Sequence, residues 1–259
     1  MIVFAAIMPH PPESIPGIGN EESLNAIAKT MDAFESLRVE LEHADPDTIV
    51  IISPHAHLEK YSFVINSSSE LKGGFDKFGL DEVYAYKNNI EIADRLAYAC
   101  SINEIPVHLH EDFLDYGALI PLYHLAKNIK PKILHLSFSL MDYQHHYAYG
   151  QIIQKIIEEE KGRIAIIASG DLSHRLTKDS PAGYSPNAQE FDHTVLRYLG
   201  AGDLASLMGM EKDFINEAGE CGIRSIIILL GILHGKKSEF RMLNYEGPFG
   251  IGYLTARLY

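Results

Sequence analysis

Cysteine is nearly missing from this chain. The two present, Cys100 and Cys221, make no disulfide framework, and a reducing, cytoplasmic compartment is the expectation. Basic residues are also short: 22 Lys and Arg stand against 35 Asp and Glu, a formal net charge of -13. A chain of that sign repels phosphate backbones, so no nucleic-acid partner is expected. No apolar run reaches the roughly 18–20 residues of a membrane span, so no membrane partner is expected either. The apolar start of MIVFAAIMPHPP has no basic flank and runs straight into proline and histidine. It reads as a buried strand, not a signal peptide. Repeats, low-complexity tracts and Ser/Gly linkers are absent too. What is left is an ordinary globular composition, 46% apolar and 22% charged over 259 residues. A chain of this size buries enough surface to fold without staples, and one domain over 1–259 is expected.

Short, β-branched apolar runs mark strands at 2–8, 48–52, 61–65, 133–138, 163–168, 240–243 and 250–258. Helical patterns fall at 21–42, 90–99, 118–127, 150–160, 187–199, 204–208 and 222–233. Strands alternating with helices predict an α/β sandwich, a single domain whose central, mostly parallel or mixed sheet is flanked by helices.

Thirteen histidines are present, and several follow directly on predicted strands. Residues 2–8 lead into Pro9-His10-Pro11-Pro12, 48–52 into Ser53-Pro54-His55-Ala56-His57, and 163–168 into Ser169-Gly170-Asp171-Leu172-Ser173-His174. Ligands of open α/β sheets bind beyond the carboxyl ends of the strands. If these strands lie parallel and adjacent, three histidine-bearing loops converge at one edge.

His10 sits between prolines that stiffen it; the bland alternative is a solvated turn. His55 and His57 project to one face of an extended segment and could share a metal, or one could support the other; chance also produces so short a pattern. His108 and His110 repeat it without an obvious apolar strand, and read as structural or surface residues. Asp171 is placed to orient His174 or to cap a following turn. Glu220 precedes the apolar helical run 223–233, where helix N–H groups stabilise an anionic carboxylate. That carboxylate could be a metal ligand or an ordinary cap, and Cys221 beside it is a softer alternative ligand. Two histidines and a carboxylate form the facial triad of non-haem Fe(II) sites.

PHPP, SPHAH, LDYGALIPL (residues 114–122), SGDLSH, ECGIRSI and NYEGPFGIGY (residues 244–253) occur in this order over nearly the whole chain. Together they resemble the catalytic subunit of class III extradiol ring-cleavage dioxygenases, the LigB-like superfamily, including its Memo-like relatives. The resemblance implies a LigB-like fold and an Fe(II) enzyme that opens a catechol or aminophenol ring with O₂. It implies His10, His55 and Glu220 as metal ligands, with an offset of one selecting Cys221, which corresponds to the cysteine found near this place in Memo-like relatives. It makes His174 the catalytic base. Tyr116, in Asp115-Tyr116-Gly117, stands where ring-cleaving enzymes often carry a second histidine, and His57 and Tyr184 are expected near the pocket.

Three functions follow as expectations: an Fe(II) extradiol dioxygenase acting on a small aromatic substrate and O₂; a zinc-dependent hydrolase, which the H-x-H pair, the further histidines and the Asp-bearing loop also suit and which Cys221 as a ligand would favour; and a Memo-like metal-binding protein without ring cleavage, for which Tyr116 is the support. Zinc could replace iron, because such sites bind it more tightly than Fe(II). A homodimer is the default assembly, and some relatives pair with a small helical subunit.

Overall fold

Strands that are apolar throughout need cover on both faces, and the topology of this chain supplies it. The computed structural model describes residues 1–259. In chain order the elements are β1 (Ile2–Met8), α1 (Glu21–Ala26), α2 (Ala28–Ala44), β2 (Thr48–Ser53), β3 (Phe63–Asn66), β4 (Glu70–Phe75), β5 (Leu80–Lys87), α3 (Ile90–Ile102) and β6 (Val107–His110). They continue with α4 (Tyr116–Leu125), β7 (Lys132–Ser137), α5 (Tyr143–Glu159), β8 (Ile164–Ser169), α6 (Ala188–Ala201), α7 (Leu204–Met208), α8 (Lys212–Ala218), α9 (Ile223–Ile232), β9 (Arg241–Glu246) and β10 (Tyr253–Arg257). Eight strands form one mixed sheet in the order β6-β3-β7-β2-β8-β1-β10-β9, and β4 and β5 form a separate hairpin. The α/β sandwich read from the sequence is the architecture observed.

The side-chain period of two sorts the core into two layers. Val50 and Ile52 of β2 join Ile153 and Ile157 of α5 and Ile227 of α9 in one cluster. Ile49 and Ile51 join Phe34 and Leu37 of α2 and Leu122 of α4 in the other. Burying each such side chain contributes roughly 1.5–3 kcal/mol, so helix cover on both faces is what holds the sheet.

The middle of the sheet positions the site. β7, β2, β8 and β1 are consecutive and parallel, with β2 and β1 on either side of β8. The carboxyl ends of three histidine-bearing strands therefore lie side by side. β10 and β9 continue antiparallel on one flank. On the other, β3 runs antiparallel to β7 and carries β6 as a parallel edge strand.

Several expectations shift. The single helix expected over 21–42 is two, broken at Ile27, which leaves helical geometry (φ -106°, ψ 21°) and is fully buried. The β4–β5 hairpin, β6 and α8 were not legible as elements. β5 is largely exposed, and β6 is four residues of alternating histidine, Val107-His108-Leu109-His110, so neither shows an apolar run. No helix is long and apolar enough to cross a membrane.

Candidate metal centre

The three loops meet as the strand order requires. At the end of β1, the Gly170 N–H donates to the Met8 carbonyl (3.1 Å), and the His10 N–H donates to Asp171 Oδ1 (3.1 Å). These bonds lock the His10 loop to the loop after β8. His10 is 2% exposed, and its ring faces that of His55 with Nε2 atoms 3.0 Å apart. Cys221 arrives from the turn before α9. Gly170 and Gly222 allow the approach: a Cβ on Gly170 would lie 2.2 Å from Gly222 Cα. The two loops then bond in both directions, Cys221 N–H to the Asp171 carbonyl (3.2 Å) and Asp171 N–H to Cys221 Sγ (3.2 Å). This leaves the Cys221 sulfur 3.8 Å from His10 Nε2. One ligand atom from each of His10, His55 and Cys221 lies within 4.8 Å of the other two.

The tautomer of His10 can be deduced. Ser169 Oγ donates its single proton to the Gly117 carbonyl (2.5 Å). Towards His10 Nδ1, 2.9 Å away, the hydroxyl can therefore only accept. Nδ1 carries the hydrogen, and the Nε2 lone pair of neutral His10 faces His55 and Cys221, the arrangement that supports a metal-bound imidazole.

Electrostatics keep the group uncharged without an ion. Burial lowers His10 below the usual imidazole range, against the pull of Asp171 and Asp115. Desolvation of its ring, then the nearby His10, brings His55 down to about 4, although the residue keeps an exposed face. Burial pushes the Cys221 thiol well up. Two neutral imidazoles and a thiol form a donor set that binds a borderline or soft divalent ion by releasing the thiol proton. The residues therefore fit a metal, and they fit one that accepts sulfur.

Asp171 and His174 stand at the side of this group. Asp171 Oδ2 is 3.4 Å from His10 Nε2 and 3.7 Å from His174 Nε2. His174 Nδ1 is buried without a hydrogen-bond partner. Asp192 holds the same loop: it accepts from the Ser173 N–H (2.8 Å) and the Tyr245 hydroxyl (2.7 Å), and burial pushes its carboxyl up to about 7. Tyr116, first residue of α4, stacks on His55 (centroids 4.4 Å, 20°) and meets His10 edge-on (5.7 Å). Asp115 caps α4 through the Ala118 N–H (3.1 Å) and accepts from Ser53 Oγ (2.5 Å) and His135 Nε2 (3.0 Å). Burial pushes Asp115 upward, but the bonds from His135 and Ser53 outweigh it and hold the carboxyl below its usual range. His55, Asp115 and Tyr116 form part of the wall of a cavity of about 590 Å³, completed by the β4–β5 hairpin with Phe78 and Lys77.

Not every expected residue joins the group. Glu220 does not: its carboxylate accepts from the Ile223 N–H (2.7 Å), caps α9, and lies 3.9 Å from Arg224. Cys221, the neighbouring alternative, takes the inward position. His57 turns away from His55 and groups instead with His110 and Asp112. Tyr184 is 55% exposed and does not line the cavity. Sequence reasoning missed the supporting roles of Ser169 and of the Asp115–His135 pair. A signal existed for His135, a lone polar residue inside the apolar strand Lys132–Ser137 that is 2% exposed and so needs a partner.

Comparison with known proteins assigns the family. Residues 4–256 match the family described as the catalytic LigB subunit of aromatic ring-opening dioxygenase. Protein CA_C1420 of Clostridium acetobutylicum is 35% identical over 264 residues, 97% of this chain but 56% of that protein, so this chain spans little more than half of that relative. The 3,4-dihydroxyphenylacetate 2,3-dioxygenase of Escherichia coli is 24% identical over 226 residues, covering 81% of this chain and 82% of that one. The crystal structure of uncharacterized protein JW3007 from Escherichia coli K12 superposes with a TM-score of 0.72 at 18% identity over 99% of this chain and all of that one, a likeness of fold.

Proposed function

The chain belongs to the family of catalytic LigB subunits of aromatic ring-opening dioxygenases, and we propose that it is a metal-dependent oxidoreductase of the dioxygenase type. His10, His55 and Cys221 hold the ion in this reading, and His174 with Asp171 handles the proton. The observation that carries it is the 3.0 Å approach of two imidazole Nε2 atoms beside the Cys221 sulfur, next to a cavity large enough for an aromatic ring. When bound, the ion supplies Lewis acidity toward a chelating catechol or aminophenol and a meeting place for it and O₂. His174 accepts the phenolic proton, and Asp171 stabilises the imidazolium that results. Tyr116 fixes the His55 ring by stacking and offers an aromatic wall to the substrate.

A second reading has its own observation. Sulfur in the donor set favours zinc or copper(I) over iron(II), and Cys221 occupies the inward position that a carboxylate fills in a facial triad. A Memo-like protein that binds metal without opening rings has this character. One experiment separates the two. Protein loaded anaerobically with Fe(II) is given catechols and 2-aminophenols while O₂ uptake is followed. Uptake with a yellow ring-opened product, lost in His174→Ala, is the expected result. No uptake from protein with iron demonstrably bound would sink the dioxygenase reading in favour of the Memo-like one.

A further inference from the structure

The second half of the His55-Ala56-His57 pair has a set of partners that the proposed reaction does not use. His57, His110 and Asp112 each bring a ligand atom within 4.8 Å of the other two. The His57 and His110 rings are stacked with centroids 4.1 Å apart. Glu59 lies 3.8 Å from His57 Nε2 and pairs with His108 Nδ1. We infer that this outer cluster is a second metal site, for a divalent ion that prefers nitrogen and oxygen donors, such as zinc, cobalt(II) or nickel(II).

The fold builds the site from two segments. Strand alternation along β6 sends His108 and His110 to one face, and Asp112 follows two residues on. The loop after β2 lays His57 and Glu59 against them. Both backbones are fixed independently of the side chains. Ser137 Oγ donates to the His57 carbonyl (2.8 Å), and Asn66 Nδ2 donates to the Asp112 carbonyl (2.9 Å). A ligand set whose backbone is anchored beforehand loses less entropy when it closes on an ion.

The chemistry differs from that of the inner cluster. Two imidazoles and a carboxylate are borderline-to-hard donors with no thiolate, so they select zinc-like ions rather than copper(I). Glu59 and Asp112 bring negative charge beside the imidazoles, which draws a dication. His57 is exposed, so its ring is free to turn as the ligand atoms close on an ion. An ordinary solvated edge strand explains exposed histidines, but not three ligand residues from two segments held around one point. The consequence is mechanical: the ion ties the loop carrying His55 to edge strand β6, so occupancy of the outer site stiffens the loop that supplies the inner one.

Cobalt(II) titration of the full chain, read by absorbance and by counting metal after dialysis, tests this. Two equivalents are expected, one with a thiolate-to-cobalt charge-transfer band and one without. His110→Ala and Asp112→Asn should each abolish the band-free equivalent, lowering its affinity at least about 100-fold for loss of a direct ligand, and leave the thiolate band intact. Cys221→Ser should do the reverse. A wild-type protein that takes only a band-free equivalent, lost in His110→Ala, supports the outer site while removing the inner one. A single equivalent carrying the thiolate band, or two equivalents retained by His110→Ala and Asp112→Asn alike, overturns the inference.

Discussion

His55 and His57 are two residues apart on one loop, yet His55 faces His10 and Cys221 while His57 faces His110 and Asp112. The inner group sits at the ends of parallel strands. Its His10 is buried, and that ring is oriented by Ser169, a residue that coordinates nothing in the proposed site. The outer group stands on an edge strand, keeps more solvent, and orients its side chains mainly by stacking. The difference shows what burial contributes to a metal site: it fixes tautomer and geometry in advance, and it allows sulfur to replace a charged carboxylate. The largest test of that contrast is loss of a ligand from each side. His10→Ala should lower inner-site affinity by more than the roughly 10–100-fold that loss of a supporting residue costs. His57→Ala should lower inner-site affinity far less, because His57 acts on that site only through the loop it shares with His55. Isothermal titration with zinc measures both, and equal losses in the two variants would mean that the clusters are one coupled site.

The next test removes orientation and leaves every ligand in place. Ser169→Ala deletes the acceptor for His10 Nδ1–H and the donor to the Gly117 carbonyl. His10 is then free to change tautomer or turn. Inner-site affinity should fall about 10–100-fold, with the thiolate-to-cobalt band retained but weakened. If the variant binds as the wild type does, tautomer control by Ser169 is wrong.

This contrast also marks how far the sequence could be read. The parallel core was legible because Ile2–Met8, Thr48–Ser53 and Ile164–Ser169 are apolar on both faces, and the polar loops after them announced the edge where they meet. That pattern and the family resemblance together single out His10 and His55. The position of Cys221 could not be read this way, because Glu220 and Cys221 are adjacent and their orientations rest on tertiary contacts, the close Gly170–Gly222 packing and the Asp171–Cys221 bonds on one side and the Ile223 N–H bonded to Glu220 on the other. The outer group was hidden for a different reason. β6 is a four-residue edge strand without an apolar signature, so nothing local showed that its histidines would meet a loop some fifty positions earlier in the chain.

A smaller effect concerns the frame of the inner site. Asp192 and Asp115 are both buried carboxylates, but Asp115 is held low by His135 and Ser53 whereas burial lifts Asp192 to about 7. Because the unfolded chain ionises its aspartate first as pH rises, the raised folded value lowers stability progressively between about pH 4 and 7, and the full cost stands above pH 7. Asn at this position can still accept from the Ser173 N–H and donate to the Tyr245 oxygen. Asp192→Asn should therefore raise the melting temperature at pH 8, with a gain on the order of 1–3 kcal/mol, and the gain should shrink toward pH 5. A gain independent of pH would mean that ionisation is not its source.

The smallest expected effect separates Glu220 from Cys221 as the third partner of the histidines. Glu220 accepts from the first N–H of α9 and faces Arg224, away from His10 and His55. Glu220→Gln keeps an acceptor for that N–H and removes only the charge. Two contributions then oppose each other: loss of a carboxylate at a helix N-terminus costs about 0.3–1 kcal/mol, and relief of its desolvation, which raises its pKa, offsets part of that. Stability should change by less than about 1 kcal/mol, and inner-site metal affinity should not change. Cys221→Ser in the same assay should lose the thiolate band and most of the affinity. If the ranking came out reversed, with Glu220→Gln shedding the metal and Cys221→Ser retaining it, the carboxylate would have to swing inward on metal binding, and the facial triad of two histidines and Glu220 would describe the loaded site.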